Sequence, residues 1–125
     1  MKLEVGMYVR TKYGIAKIIN FRERKDSDNY YCLDKDIVEE DDYLSCCIYD
    51  YKYYLRQVLK ASDEPIELIE VGDYVNGILI SQIWEDADNI RISDKENYYQ
   101  FTKDTVKSIV TKEQFEQMQY KVGEQ

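Results

Sequence analysis

The chain has 125 residues, 44% of them hydrophobic, with one proline, five glycines, three cysteines and no histidine. That length suits one ordinary domain or two very small ones, and a core of this size needs neither metal nor disulfide to hold it. The missing histidine excludes Ser-His-Asp triads, Cys-His pairs, His-ligated zinc and imidazole acid–base chemistry, while a net charge of −8 works against long-range attraction to nucleic acid.

In chain order, Val5, Met7 and Val9 alternate with Gly6, Tyr8 and Arg10, the period of a half-buried strand. A second strand starts at Gly14 and runs to Ile19. Turn chemistry from Asp26 to Asn29 precedes Tyr30-Tyr31-Cys32-Leu33. Leu55-Arg56-Gln57-Val58-Leu59 reads as a closing strand, and Pro65, in Ser62-Asp63-Glu64-Pro65, marks a linker. Ile78 to Trp84, Ile90 to Ser93, Tyr98 to Phe101 and Val106 to Val110 form a second set of strands. Thr111 and Gln114 have capping-box spacing, which predicts one short helix over 112–118 that buries Phe115 and Met118. Tyr120-Lys121-Val122 is then expected to return to a sheet edge.

The chain also matches itself. Leu3-Glu4-Val5-Gly6-Met7-Tyr8-Val9 returns as Ile69-Glu70-Val71-Gly72-Asp73-Tyr74-Val75, sixty-six positions on. Asp34-Lys35-Asp36 matches Asp94-Lys95-Glu96 at sixty, and Leu55 to Leu59 matches Val106 to Val110 at fifty-one. Order is kept while the offset shrinks, as expected of a duplicated unit whose first copy carries longer loops. The extra residues fall at 37–52.

Short strands at this spacing point to small barrels rather than a βα fold. The Glu-Val-Gly-x-Tyr-Val pattern, the Gly-started second strand and the closing strand resemble SH3-like barrels of the KOW and Tudor kind. The expected fold is mostly β: two tandem SH3-like small barrels, 1–62 and 66–125, with one short C-terminal helix. The stretches 68–77, 107–116 and 120–123 also look like uncharacterised small proteins of clostridial phages and mobile elements. That family carries no activity to transfer to a residue, and its implied context is the cytoplasm of a host bacterium. Met1-Lys2-Leu3-Glu4 opens no signal peptide, no stretch approaches the ~18–20 apolar residues that cross a bilayer, and the cysteines read as reduced thiols.

Charge is segregated. Residues 1–25 hold seven bases and two acids, 34–50 hold seven acids and one base, and 63–73 hold five acids and no base. Within the extra segment, Glu39, Glu40, Asp41, Asp42, Tyr43, Tyr49 and Tyr51 combine carboxylates with low-entropy aromatic contact area, a composition that suits a basic protein surface. The acids lack the order and glycine of an EF-hand, only five glycines leave no phosphate-cradling loop, and no cofactor or metal is expected. The leading expectation is a non-enzymatic interaction protein of phage or mobile-element origin. Its partner is a basic host protein, and its concrete form is nucleic-acid mimicry that inhibits a defence effector, as anti-CRISPR proteins do. One alternative is a nucleic-acid-binding accessory domain using Arg10, Lys12, Arg22, Arg24 and Lys25. Another is a sponge for a small nucleotide signal gripped by Arg22, Arg56 or Arg91, and a third is a Tudor-style aromatic cage for a methylated cation.

Overall fold

The computed structural model of the chain describes residues 2–24, 28–86, 89–120 and 122–123. The first half contains β1 (Tyr8–Thr11), β2 (Gly14–Arg22), β3 (Tyr30–Leu33), β4 (Val38–Glu39), β5 (Leu44–Ser45), β6 (Cys47–Tyr49), one helical turn α1 (Lys52–Leu55) and β7 (Lys60–Ser62). A 3-10 turn at Pro65–Leu68 leads to β8 (Tyr74–Val75), β9 (Ile78–Leu79), β10 (Gln82–Asp86), β11 (Asn89–Ser93), β12 (Gln100–Phe101), β13 (Ile109–Val110) and α2 (Lys112–Met118).

The two self-similar stretches make matching hydrogen bonds. In the first copy Gly6 N donates to Ile18 O, Ile18 N to Met7 O, and Met7 N to Glu4 O. In the second, Gly72 N donates to Ile80 O, Ile80 N to Asp73 O, and Asp73 N to Glu70 O. Each turn places a glycine third at positive φ, 98° at Gly6 and 102° at Gly72, the conformation a type II turn requires there. The sheets follow the same path. The first copy has the antiparallel order β6-β3-β2-β1-β7, and the second has β10-β11-β12 beside β13-β8-β9. The counterpart of the continuous β2 is interrupted at Ile80 and Ser81, which splits one five-stranded meander into two three-stranded sheets. Two apolar clusters result, one including Val9, Ile18, Leu33 and Ile48, the other Ile69, Val75, Ile80 and Ile92.

Several expectations change. The fold is mostly β, but the sheets are open: β6 and β7 are opposite edges of their sheet and do not pair with each other, so neither half closes into a barrel. The closing strand is not Leu55 to Leu59. Tyr51 O accepts from Tyr54 N and Leu55 N, which makes Leu55 the last residue of α1 and puts Arg56 and Gln57 in the turn that follows; Leu59 N then donates to Arg10 O, and β7 does the closing by pairing Ala61 with Val9. Its true counterpart is β13, where Ile109 pairs with Val75. Residues 4–7 are a turn rather than strand, leaving Val5 55% exposed. The helix and its capping box form over the expected residues. Phe115 and Met118 are nevertheless exposed, because α2 lies at the rim and Phe115 stacks on Tyr74 at 5.1 Å. Tyr120 joins no strand and is exposed, and Lys121 lies outside the described residues.

Candidate binding site

The extra residues of the first copy build a small projecting hairpin. β4 pairs with β5 through Val38–Ser45 and Glu39–Leu44, and Glu40 N donates to Tyr43 O across the tip. Gln57 clamps the base, its side chain accepting from Glu39 N at 2.7 Å and donating to Glu39 O at 3.0 Å. Asp41, Asp42 and Tyr43 occupy the tip and are exposed, with Tyr43 at 64%. Neither aspartate makes an ion pair or side-chain hydrogen bond among the described residues. Glu39 and Glu40 have partners within the molecule. Glu39 lies 3.4 Å from Lys12 Nζ, and Glu40 accepts from Tyr54 OH at 2.8 Å and Ser45 Oγ at 3.3 Å.

Behind the hairpin lies a tyrosine face. Register places Tyr30 opposite Tyr49 on β3 and β6, and their rings meet at 5.3 Å. Tyr49 also contacts Tyr51 at 5.9 Å and Tyr54 at 5.1 Å, and Tyr53 meets Tyr54 edge-on. The hydroxyls are tethered, since Tyr51 OH donates to Asp28 and Tyr54 OH to Glu40. These carboxylate bonds, with burial, hold both phenols above their ordinary pKa. The rings pack on one another, which leaves no cage among them for a methylated cation.

The basic residues divide. Arg24 lies over the Tyr30 ring at 5.2 Å, and the hydrogen bond to Tyr30 raises its pKa. Arg22 sits opposite Tyr30 on β2, so both arginines border the tyrosine face that the sequence had kept apart from them. Lys12 is engaged by the Tyr13 ring and Glu39. Lys25 lies outside the described residues. Arg10 is corrected outright: it is fully buried and unavailable to any nucleic acid. Its Nη1 donates to Leu68 O at 2.9 Å and Asp73 Oδ2 at 2.5 Å, and its Nη2 to Asp73 Oδ1 at 2.8 Å and Glu113 Oε2 at 2.6 Å. Burial works against the guanidinium charge, but the bonds to Asp73 and Glu113 outweigh it and its pKa rises. Glu70 joins the network by pairing with Lys112 at 2.8 Å and Lys60 at 3.1 Å. This ionic knot ties the two copies together.

Arg22, Arg56 and Arg91 do not converge. Arg56 lies over Tyr53 beside α1, whereas Arg91 faces Trp84 across β10 and β11 in a separate groove of about 460 Å3 with Asn89, Asn97 and Gln100. Sequence reasoning missed that groove; the available signal was the alternation Trp84-Glu85-Asp86 against Asn89-Ile90-Arg91, which puts Trp84 and Arg91 on one face. Among the described residues no group of three or more Cys, Asp or Glu is arranged to hold a metal, and no helix is long and apolar enough to cross a membrane. No protein-family model, curated protein or solved structure matches this chain.

Proposed function

We propose that this chain acts by binding, without chemistry of its own, and docks on a basic protein surface through the Asp41-Asp42-Tyr43 tip and the tyrosine face behind it. One observation carries the reading: the tip acids project unpaired among the described residues, while Glu39 and Glu40 anchor the hairpin beneath them. A projection held this way loses little conformational entropy on docking, and the aromatic rings offer contact area next to the charge. A partner groove that ordinarily holds nucleic-acid phosphates has the required chemistry, which makes mimicry the concrete form. The strand path shared by both halves, with its matched turns, supports reading each as an SH3-like unit opened out.

The test is capture from bacterial lysate at low and high salt, followed by repeat binding with Asp41→Asn/Asp42→Asn and with the unchanged chain competed by duplex DNA. Binding lost in the variant and displaced by DNA is the expected result; binding unchanged in a folded variant refutes the reading. A second reading rests on Arg22 and Arg24 bordering Tyr30, an arrangement that stacks and pairs with a single strand. Nucleic acid in the eluate, lost with Arg22→Ala/Arg24→Ala, would favour it.

A further inference from the structure

We propose that Cys32 and Cys47 are a thiol pair built to close into a cross-strand disulfide, a redox modification site that locks β6 to β3. The register carries this inference. Cys32 and Cys47 are direct partners on adjacent antiparallel strands. Leu33 N donates to Cys46 O, and Asp50 N donates to Asn29 O, so the ladder bonds flank the Cys32–Cys47 and Tyr30–Tyr49 positions rather than joining them. Both are therefore non-hydrogen-bonded pairs, where Cα atoms lie about 4.5 Å apart and side chains on one face come closest. That spacing sits at the short end of the ~4.4–6.8 Å a disulfide spans. The neighbouring pair behaves as this geometry requires, since the Tyr30 and Tyr49 rings are in contact on the same face.

The third cysteine differs in how it is held. Cys46 occupies the bend between β5 and β6 and packs against the first apolar cluster, and its thiol is also a hydrogen-bond partner of the Cys47 thiol. Bridging two adjacent residues, unlike two facing ones, requires the backbone to distort, so Cys46 is the competing partner that the thiol mapping must distinguish. All three thiols are free and half-buried, which leaves room for a small oxidant.

The oxidant class is a low-molecular-weight disulfide such as oxidised glutathione. The Cys32 thiolate attacks a glutathione sulfur and expels one glutathione thiolate. The Cys47 sulfur then attacks Cys32 in the mixed disulfide and expels the second. Two thiol protons and two electrons leave the protein, and one oxidised glutathione becomes two reduced ones. Burial, and then Cys46, push the Cys47 thiol up to about 11, so the closing step quickens as pH rises towards that value. The bridge would pin the edge strand that carries Tyr49 and follows the acidic hairpin. The proposal does not depend on what that hairpin binds.

The test uses the whole chain equilibrated with graded ratios of oxidised and reduced glutathione, then alkylated and digested. Free thiols should fall from three to one, with a Cys32–Cys47 link in the fragment spectra and Cys46 alkylated. Cys46→Ser should preserve the bridge, and Cys47→Ser should abolish it. A link through Cys46, or three titratable thiols persisting where a control dithiol is fully oxidised, overturns the proposal. Mapping the unsubstituted chain keeps the test decisive even if a variant fails to fold.

Discussion

Replacing Arg10 with methionine isolates the energetic worth of the knot between the copies. The substitution keeps an apolar stem in the buried channel and removes four hydrogen bonds, to Leu68, Glu113 and both oxygens of Asp73. Asp73 is itself fully buried and, among the described residues, is left with Glu70 N and Lys112 N as donors. Stranding one partner of a buried pair costs about 3–5 kcal/mol. The present arrangement is not ideal, because among the described residues Arg10 Nε is buried without a hydrogen-bond partner and Glu70 Oε2 lies 3.9 Å away, so the lower half of that range is expected. A chain of this size is stable by about 5–15 kcal/mol, so the variant should remain folded with a lowered urea midpoint at unchanged slope. Arg10→Met/Asp73→Asn should cost less than the single change, since the amide still accepts a backbone N–H without stranding a charge. A loss below about 1 kcal/mol for Arg10→Met, or strict additivity in the double variant, would refute the reasoning.

Glu70 is held at about 2 against an ordinary 4.5, first by its hydrogen bond to Lys112, then by Lys60 and Arg10, with burial opposing them. Its contribution is therefore complete above about 4.5 and lost as pH falls towards about 2. Thermal melts across that interval should show a smaller decline for Glu70→Gln than for the unchanged chain, and equal declines would contradict the assignment. Thr111→Ala removes a buried hydroxyl that accepts from Gln114 N at 3.1 Å; it should cost about 1 kcal/mol and speed amide exchange at Phe115 and Gln119. Protection unchanged at those amides would show that α2 does not depend on its cap.

Local chemistry was legible in the sequence and partnership was not. Tyr30–Leu33 and the Thr111/Gln114 cap emerge as expected because a few adjacent residues decide each of them, whereas Glu-Val-Gly, whose alternation suits a strand, makes a turn because its glycine takes positive φ. Arg10 misled because alternation alone puts it on the face opposite Val9, and what makes that face an interior is Asp73, sixty-three positions later. Leu55 to Leu59 misled because its apolar spacing suits a strand, while the stacking of Tyr49, Tyr51 and Tyr54 accompanies the fold-back that makes a helical turn first. The candidate site was half legible. The acids and tyrosines were identified together, but not which acids are consumed internally, because Lys12, Tyr54 and Gln57 reach Glu39 and Glu40 only through the tertiary fold. Arg24 reaches Tyr30 through the pairing of β2 with β3, but that Tyr49 joins the same face depends on β3 pairing with β6 and was equally hidden.

The strap formed by α2 has a consequence for how the chain comes into being. Gln117 Nε2 donates to Lys12 O, and Glu113 receives Arg10, contacts that span 105 and 103 positions. At ribosomal rates of about 5–20 residues per second, the first copy waits roughly 5–20 s after Arg10 is made before Glu113 exists. Through that interval its central cation has neither carboxylate until Asp73 emerges, so the first sheet leaves the ribosome with a solvated, unseated guanidinium at its heart. The second copy thus completes the first from outside, much as a late-arriving subunit would, and the full seating of Arg10 waits for α2.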